Sequence, residues 1–311
     1  MRKTLGVNIS HNCSFAYFED NVLKQYYEED RFNKIKNFEP PNPIKEEYKY
    51  KVLKKFKDVV FDKVVFVSFD RGNVLIEKHY IDNILKQLKC KSFKFYNGQH
   101  HLFHAVSGLY FSKFKEALCL ICDGGGEYFT DVNLELFRLI ESIFYIKDNK
   151  VKPFYKHYSM AKCDFFNNFK NIISESNFKK ENVDIKLSNK ECGGYKFMQY
   201  TEKAGFKNFE EGQLMGIAAY KNKNTDLNKN VLELAHKAQE ETLEERIKLI
   251  EKAMTYSDCK NIILSGGYHL NCSNNFKLIK HFPKLNFFVD PIAHDGGTAV
   301  GAAAYDAYYK T

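Results

Sequence analysis

The order of strands and helices along the chain occurs twice, and this repeat constrains the fold more than any single motif. Three strand segments open the sequence, and they are Leu5–Ile9, Ser14–Phe18 and Val22–Glu28. Their apolar runs and the acidic turn at Asp20-Asn21 favour a three-stranded antiparallel start. A helix, a strand and a second helix follow, and a similar order begins again at Ala117–Cys122. The repeat predicts two similar α/β halves with a cleft between them, which is where ligands bind.

The other elements are assigned from their apolar periodicity and β-branched content. The predicted helices are Ile44–Phe56, Ile81–Leu88, His100–Tyr110, Leu232–Ala253 and Gly297–Tyr308. The predicted strands after the first three are Lys63–Phe69, 93–96, Ala117–Cys122, Leu134–Ile146, Asn261–Leu264 and Leu285–Val289. Residues 147–200 follow no pattern that can be assigned. We expect residues 1–115 to form the first half and residues 116–311 the second.

The composition is that of an ordinary globular domain. Hydrophobic residues make up 44% of the 311 residues and charged residues 28%, which excludes disordered, collagen-like and coiled-coil chains. No apolar run approaches the roughly 18 residues of a membrane span, and residues 1–10 contain no signal-peptide core. The eight cysteines show no paired spacing, so we expect reduced thiols and a cytoplasmic protein without a membrane partner. The net charge of +8 permits a polyanionic partner without requiring one.

Three strands run into turns of small and polar residues. The first turn contains His11, and the other two are the runs Asp123–Glu127 (DGGGE) and Ser265–Gly267 (SGG). Successive glycines let backbone N–H groups converge on an anion without Cβ clashes. One such loop is more often a simple turn, but three in a two-half architecture favour a phosphate site. The candidate anion-binding residues are Asp123, Gly124, Gly125, Gly126, Glu127, Gly266 and Gly267.

Two histidines one helical turn apart form the candidate metal site. His100 and His104 lie in a helical stretch, so their rings share one face and suit a transition metal that also takes a carboxylate. His101 points about 100° away from that face. Asp295, in a glycine-containing turn, is the candidate third ligand, and its neighbour His294 is a rival. Taken alone, a histidine pair at this spacing is more often incidental.

Other polar motifs are less specific. Cys119 and Cys122 form a C-x-x-C pair, but positions i and i+3 of a strand face opposite sides, so we interpret both as core residues. The acids and Arg31 of Glu28–Phe32 follow the third strand, and Glu211 precedes a run of small residues. The spacing of neither segment specifies a chemistry.

Taken in order, five sequence blocks resemble one family, the O-carbamoyltransferases that modify nodulation factors, cephalosporins and aminoglycosides. LGVNISHNCSFAYFED with EEDRFNKIKNFEPP resembles the opening of that family, and HHLFHAVSGLYFSKFKEALCLICDGGGE resembles its HHLAHA segment and DGxGE loop. EGQLMGIAAY corresponds to EGKxMGLAAYG, NIILSGGYHLNCSNN to LAGGxALNCxxN, and VDPIAHDGGTAVGAAAY to PPxxGDxGxALGAA. The resemblance extends from about residue 4 to residue 306.

The resemblance implies the actin/Hsp70/sugar-kinase (ASKHA) fold, two related halves around a nucleotide cleft, which the tRNA threonylcarbamoyladenosine synthase shares. It implies that His100, His104 and Asp295 bind one metal ion, iron in known relatives, and that the DGGGE and SGG loops hold an adenylate. The metal would act as a Lewis acid on carbamoyl or phosphate oxygens. His11 becomes the candidate base for the attacking hydroxyl, and Arg31 is the second catalytic candidate. The other candidate nucleotide-binding residues are Glu211, Asn271 and Asn275.

The sequence departs from the family pattern at two residues and in one domain. Gln213 replaces the lysine of the EGK block, and Asn37 stands where the family commonly has a histidine. We also expect the YrdC-like domain of about 200 residues, which makes carbamoyl-adenylate from ATP and carbamoyl phosphate, to be absent. Either a separate YrdC-like protein supplies the adenylate, or this chain accepts carbamoyl phosphate by itself.

We therefore predict a metal-dependent O-carbamoyltransferase that moves a carbamoyl group from carbamoyl-adenylate to an acceptor hydroxyl. The expected cofactors are a divalent transition metal, with iron the first choice, ATP or carbamoyl-adenylate, and carbamoyl phosphate. The acceptor is either a hydroxylated nucleobase in nucleic acid or a small-molecule sugar. Threonylcarbamoyl-type transfer to tRNA adenosine ranks lower, because the EEDRF and AHDGG blocks fit the carbamoyltransferases better. A non-catalytic nucleotide-binding subunit is the third alternative, against which the three candidate metal ligands argue.

Overall fold

Two large sheets, one two-stranded sheet and the helices packed on them make up the described part of the protein. The computed structural model describes residues 1–41, 44, 46–68, 74–130, 135–148, 150–160, 183–189, 193–207, 209–220 and 226–309. Strands β1 to β14 are Lys3–Asn8, Ser14–Glu19, Val22–Glu28, Val60–Phe61, Lys63–Val67, Lys89–Cys90, Phe93–Tyr96, Glu116–Cys122, Tyr128–Thr130, Leu136–Lys147, Lys150–Met160, Asp184–Ser188, Asn261–Ser265 and Asn286–Val289. Helices α1 to α8 are Asp30–Asn33, Val74–Leu85, His100–Ser112, Gly193–Lys203, Glu211–Ile217, Lys229–Tyr256, Cys272–His281 and Gly297–Ala304.

The two large sheets share one strand order. In the first, β1 pairs antiparallel with β2 and parallel with β5, which gives the order β3-β2-β1-β5-β7. In the second, β8 pairs antiparallel with β10 and parallel with β13, which gives β11-β10-β8-β13-β14 with β12 beyond β11. Each central strand thus has an antiparallel meander on one side and parallel strands on the other. This correspondence confirms the predicted duplication.

Helices α3 and α8 cover the two large sheets and contact each other. α3 packs on β8 and β13 of the second sheet, whereas α8 packs on β1, β2 and β5 of the first. The strands β5 and β8 are almost entirely buried and form nearly continuous apolar runs, as is usual for strands covered on both faces. The late helix α8 therefore completes the first sheet, and the boundary at 115/116 stays a prediction.

Glycines let α8 approach its neighbours more closely than side chains would allow. A Cβ atom on Gly301 would overlap the carbonyl oxygen of Phe103 in α3, and a Cβ atom on Gly6 in β1 would overlap the carbonyl oxygen of Ala299 in α8. All eight residues of α8 are buried. The small-residue helix predicted here is confirmed, and Tyr305–Tyr309 continues it as a π-helical turn. This contact fixes where α3 lies between the sheets.

The helix predicted at Ile44–Phe56 is wrong. The described residues there form a 3-10 helix over Val52–Phe56 only. The cause is Glu29, whose buried carboxylate accepts hydrogen bonds from the backbone N–H groups of Lys51 at 2.7 Å and Val52 at 2.9 Å. These bonds tie the segment to the end of β3, and a tertiary contact of this kind overrides the helical spacing of the sequence.

The remaining predicted elements agree with the structure in kind and differ at their ends. The helix predicted from Ile81 begins earlier, at Val74, and the long helix of the second half is α6. The unassigned stretch 147–200 contains β11, β12 and the start of α4, and residues 161–182 lie outside the described part. Every cysteine in the described part is free. Among the helices of that part, none has both the length and the apolarity that a bilayer crossing requires.

We expect Gly301→Ala to destabilise the protein by about 1–3 kcal/mol, because the added methyl group overlaps backbone that cannot move aside cheaply. The matched control is Gly212→Ala in α5, where a Cβ atom would meet no atom within 4 Å. That change should be neutral or stabilising by up to about 1 kcal/mol, since alanine favours helices over glycine. Urea unfolding of both variants measures the difference. Equal stabilities would show that the α3–α8 contact is not close packed.

Candidate active site

Helix α3 carries the two predicted histidine ligands into the protein interior. His100 and His104 are completely buried, and their Nε2 atoms lie 3.1 Å apart. They share one face because they are one helical turn apart. His101 lies on another face, as predicted, and its Nδ1 pairs with the hydroxyl of Ser142 at 2.8 Å.

Asp123, directly after β8, joins this histidine pair to the glycine loops. Its Oδ2 lies 3.2 Å from His100 Nε2 and 3.4 Å from His104 Nε2. Its Oδ1 accepts backbone N–H hydrogen bonds from Gly124 at 2.7 Å and from Gly267 at 3.2 Å. The sequence motifs predict Asp123 as an anion-loop residue and miss it as a member of the metal group. Its position at the same sheet edge as the SGG loop is the signal that could have found it.

Asp295, the candidate third ligand, lies in the turn before α8 and faces the same two histidines. Its Oδ1 lies 3.5 Å from His100 Nε2 and 3.7 Å from His104 Nε2. Its Oδ2 lies 3.1 Å from His11 Nε2, so one carboxylate links the histidine pair to the candidate base. The rival ligand His294 is turned away, with its Nε2 3.3 Å from Glu28 Oε1.

These four side chains fit one divalent cation in distance and in charge. Ligand atoms of His100, His104, Asp123 and Asp295 all lie within 4.8 Å of one another, and all four residues are buried. Atoms bound about 2.0–2.2 Å from a common ion stand about 3.0–3.6 Å apart, close to the separations above. Two carboxylates balance the charge of a divalent ion when both imidazoles are neutral, and imidazoles suit iron, zinc, copper and nickel.

A neighbouring hydroxyl orients one imidazole for such a role. Ser265, at the end of β13, donates to Asp290 Oδ2 at 2.9 Å, and its oxygen lies 3.4 Å from His104 Nδ1. Because that oxygen is then an acceptor, the proton of a neutral His104 belongs on Nδ1. The lone pair of Nε2 therefore points toward the two carboxylates, which is the arrangement usual around histidine ligands.

The pKa values show how strongly the two carboxylates favour positive charge here. Burial lowers the pKa of His100, but the carboxylates of Asp295 and Asp123 outweigh it and raise the pKa to about 10. The same balance raises the pKa of His104. The pKa of Asp123 and that of Asp295 are lowered despite burial, because positive imidazoles lie beside them. Protonation within the histidine pair thus places cationic charge beside the two carboxylates.

The candidate base His11 lies in the turn after β1. The side-chain amide of Asn8 donates to the carbonyl oxygens of His11 at 3.0 Å and Asn12 at 3.3 Å, and these bonds shape the turn. About 25% of the His11 side chain is exposed, whereas its partner Asp295 is buried. The imidazole therefore stands between the buried group and solvent.

Arg31, the second catalytic candidate, lies outside this group. Its guanidinium is ion-paired with Glu28 at 3.3 Å and Asp30 at 3.4 Å, and 74% of its side chain is exposed. Burial raises the pKa of Glu28, but His294, Tyr26 and Arg31 outweigh it, so that the pKa is lowered. The EEDRF block thus connects to the Asp295 turn through His294.

The glycine loops are built against each other. Gly266 has φ +94°, and a Cβ atom there would overlap the backbone of Cys122, so only glycine fits. The N–H of Gly126 donates to the carbonyl oxygen of Leu139 at 2.7 Å. A Cβ atom on Gly125 would meet the side chain of Arg138. Glu127 is buried, and the loop as a whole stands beside the SGG turn.

Two of the candidate nucleotide-binding side chains support neighbouring backbone. Asn271 caps α7, accepting from Asn274 N at 3.2 Å and donating to Gln239 Oε1 at 2.7 Å. Asn275 donates to the carbonyl oxygen of His269 at 2.7 Å. Both asparagines therefore hold the turn that follows the SGG loop. Glu211 lies in the first turn of α5.

Known proteins that resemble this chain indicate its family and its fold. A family model described as "Carbamoyltransferase N-terminus" matches residues 19–304. An uncharacterized protein of Synechocystis sp. is 23% identical over 97% of this chain and 56% of its own length. The chain spans just over half the length of the curated relatives that it matches.

Solved structures of low identity share the fold. Full-length HypF in its phosphate- and nucleotide-bound form gives a TM-score of 0.55 at 13% identity, over 98% of this chain and 55% of that one. A ROK family protein from Streptococcus pneumoniae in complex with sucrose gives 0.53 at 12% identity, over 97% and 96%. These likenesses confirm the ASKHA fold. Since the family match covers most of its residues, this chain belongs to the carbamoyltransferase family, whose N-terminal region it matches.

Proposed function

We propose that this chain holds a divalent metal ion beside an adenylate and transfers a carbamoyl group to an acceptor hydroxyl. One observation carries the proposal: the two oxygens of Asp123 face different partners. Oδ2 faces His100 and His104, and Oδ1 accepts N–H groups from both glycine loops. A single buried carboxylate thereby joins the metal group to the loops, so that an ion and a phosphate there would be neighbours.

His100, His104, Asp123 and Asp295 would hold the metal, with iron the first choice from the resemblance. Once bound, the ion would supply positive charge beside the carbamoyl and phosphate oxygens. The protein's part is to keep this site buried and its ligands oriented, which increases the effect of that charge.

The adenylate would lie against the DGGGE and SGG loops. The nucleotide-bound form of HypF, which has the same fold, supports a nucleotide in this architecture. We propose carbamoyl-adenylate as the donor, made from ATP and carbamoyl phosphate by a YrdC-like domain or protein. Asn271 and Asn275 would contribute to nucleotide binding indirectly, because they hold the turn after the SGG loop. Glu211 would contribute from its position at the start of α5.

His11 would take the acceptor proton during transfer. The acceptor oxygen forms a bond to the carbamoyl carbon, the bond from that carbon to the phosphate oxygen breaks, and AMP leaves. Asp295 Oδ2 faces His11 Nε2 at 3.1 Å and so keeps the proton of the neutral ring on Nε2, which makes Nδ1 the basic nitrogen. Arg31, exposed at the outer edge, would meet the acceptor rather than the metal.

We expect the purified protein to bind about one equivalent of a divalent transition metal, and His104→Ala to weaken that binding at least about 10-fold. Loss of one imidazole removes a ligand without filling its position. His281→Ala is the control, because His281 is exposed at the end of α7 and belongs to none of the site turns, and it should bind metal as the parent does. Elemental analysis and metal titration give the readout. Equal metal binding by His104→Ala and the parent would contradict the assignment.

We expect His11→Asn to reduce carbamoyl transfer about 10²–10⁴-fold, the usual contribution of a general base. The assay uses synthetic carbamoyl-adenylate with a panel of hydroxylated nucleosides and sugars and measures the carbamoylated product. Metal content of the same variant is the control and should match the parent, because His11 contacts only one of the four ligands. Full turnover by the His11→Asn variant would contradict the assignment of His11 as the general base.

A further inference from the structure

Phe209 faces His11 from the second half of the chain, and its backbone is strained. Its φ is +68°, in the left-handed region that glycine and asparagine tolerate and aromatic residues rarely adopt. About 48% of the surface of this residue is exposed. An exposed aromatic ring gains little from burial, so core packing does not explain why a phenylalanine stands at this position.

Two acids hold the strained turn in place. The N–H of Phe209 donates to Glu211 Oε1 at 3.3 Å, and the N–H of Lys207 donates to Glu210 Oε2 at 2.8 Å. The carbonyl oxygen of Glu210 then accepts from the N–H of Gln213 at the start of α5. The backbone at Phe209 is therefore hydrogen-bonded to the start of α5.

The ring contacts the candidate base. The ring centroids of Phe209 and His11 are 5.1 Å apart, with their planes tilted by 45°. His11 in turn lies 3.1 Å from Asp295 of the metal group. Within the described ranges, Phe209 makes no other ring contact. The part of its surface that His11 leaves uncovered is thus an apolar face beside the group that would accept the proton.

We propose that Phe209 is the platform on which the acceptor binds. This proposal rests on the proposed function and narrows its substrate class. The acceptor would stack a flat or apolar ring face on Phe209 and so present its hydroxyl to His11, as bases and sugars stack on aromatic side chains elsewhere. A hydroxyl attached to a ring, either a nucleobase or a sugar, is therefore favoured over the hydroxyl of an acyclic alcohol.

The sequence contains no tryptophan, so Phe209→Trp places a single fluorescent reporter on the platform and keeps an aromatic ring there. Phe93→Trp is the matched control, because Phe93 is 53% exposed on β7, in an element that carries none of the site residues. Each variant is titrated with 5-(hydroxymethyl)uridine, methyl β-D-glucopyranoside and acyclic sorbitol. No turnover is needed, so a failure of carbamoyl transfer does not decide this result.

We expect at least one ring compound to change the emission of Phe209→Trp saturably, and sorbitol to leave it unchanged. The compound that binds identifies the ring class, and Phe93→Trp should respond to neither. The proposal is overturned if no compound changes the emission of Phe209→Trp, if sorbitol changes it as the ring compounds do, or if Phe209→Trp and Phe93→Trp respond equally.

Kinetics with the better ring acceptor provide a second test. Phe209→Gly should raise the KM for that acceptor at least 10-fold with a much smaller change in kcat. Phe209→Tyr, which keeps an aromatic ring, should have the KM of the parent. The thermal midpoint of Phe209→Gly should not fall, because glycine relieves the unfavourable φ. An unchanged KM, or a lower midpoint with parental KM, would show that Phe209 only covers His11.

Discussion

The structure depends on two buried carboxylates held within about 4 Å of two buried imidazoles. Two negative charges in an apolar interior are unfavourable unless positive charge stands beside them. Burial lowers the pKa of each imidazole, but the two carboxylates outweigh it, so that protonation within the His100–His104 pair provides that charge when no ion is bound. A divalent cation would meet the same need with both imidazoles neutral. The four side chains could therefore hold such an ion.

The fold brings this group together from distant parts of the chain. Close backbone contact between α3 and α8, permitted by Gly301, fixes the histidines and the turn that contains Asp295 relative to each other. Parallel pairing of β8 and β13 sets Asp123 beside the SGG loop. The candidate base His11 occupies the turn that directly follows the buried strand β1. The positions of Asp123, of Asp295 and of the two glycine loops therefore all depend on how these helices and strands pack.

Local patterns in the sequence predict much of this arrangement. Histidines four residues apart in a helical stretch must share a face, so the spacing of His100 and His104 is sufficient to pair them. The choice of Asp295 over His294 agrees with the geometry. Asp123 is predicted for the loop alone, because it meets the histidines only through the packing of α3 on β8 and β13. A pattern along one segment carries no information about such long-range contacts.

The same limit explains the other differences. The helix predicted over Ile44–Phe56 is replaced by a tertiary contact to buried Glu29, which helical spacing cannot reveal. Phe209 carries no sequence signal at all, since an isolated phenylalanine in a polar turn shows neither its positive φ nor its contact with His11. Asn271 and Asn275, predicted from the resemblance, do lie near the loops, but their hydrogen bonds depend on tertiary packing that no motif encodes.

X-ray absorption spectroscopy of the metal-loaded protein tests the central claim most directly. A single ion with two imidazole nitrogens and carboxylate oxygens in its first coordination sphere is the predicted result, with one imidazole contribution lost in the His100→Ala variant. A sphere of water oxygens alone, sulfur ligation, or a spectrum unaffected by His100→Ala would contradict the account.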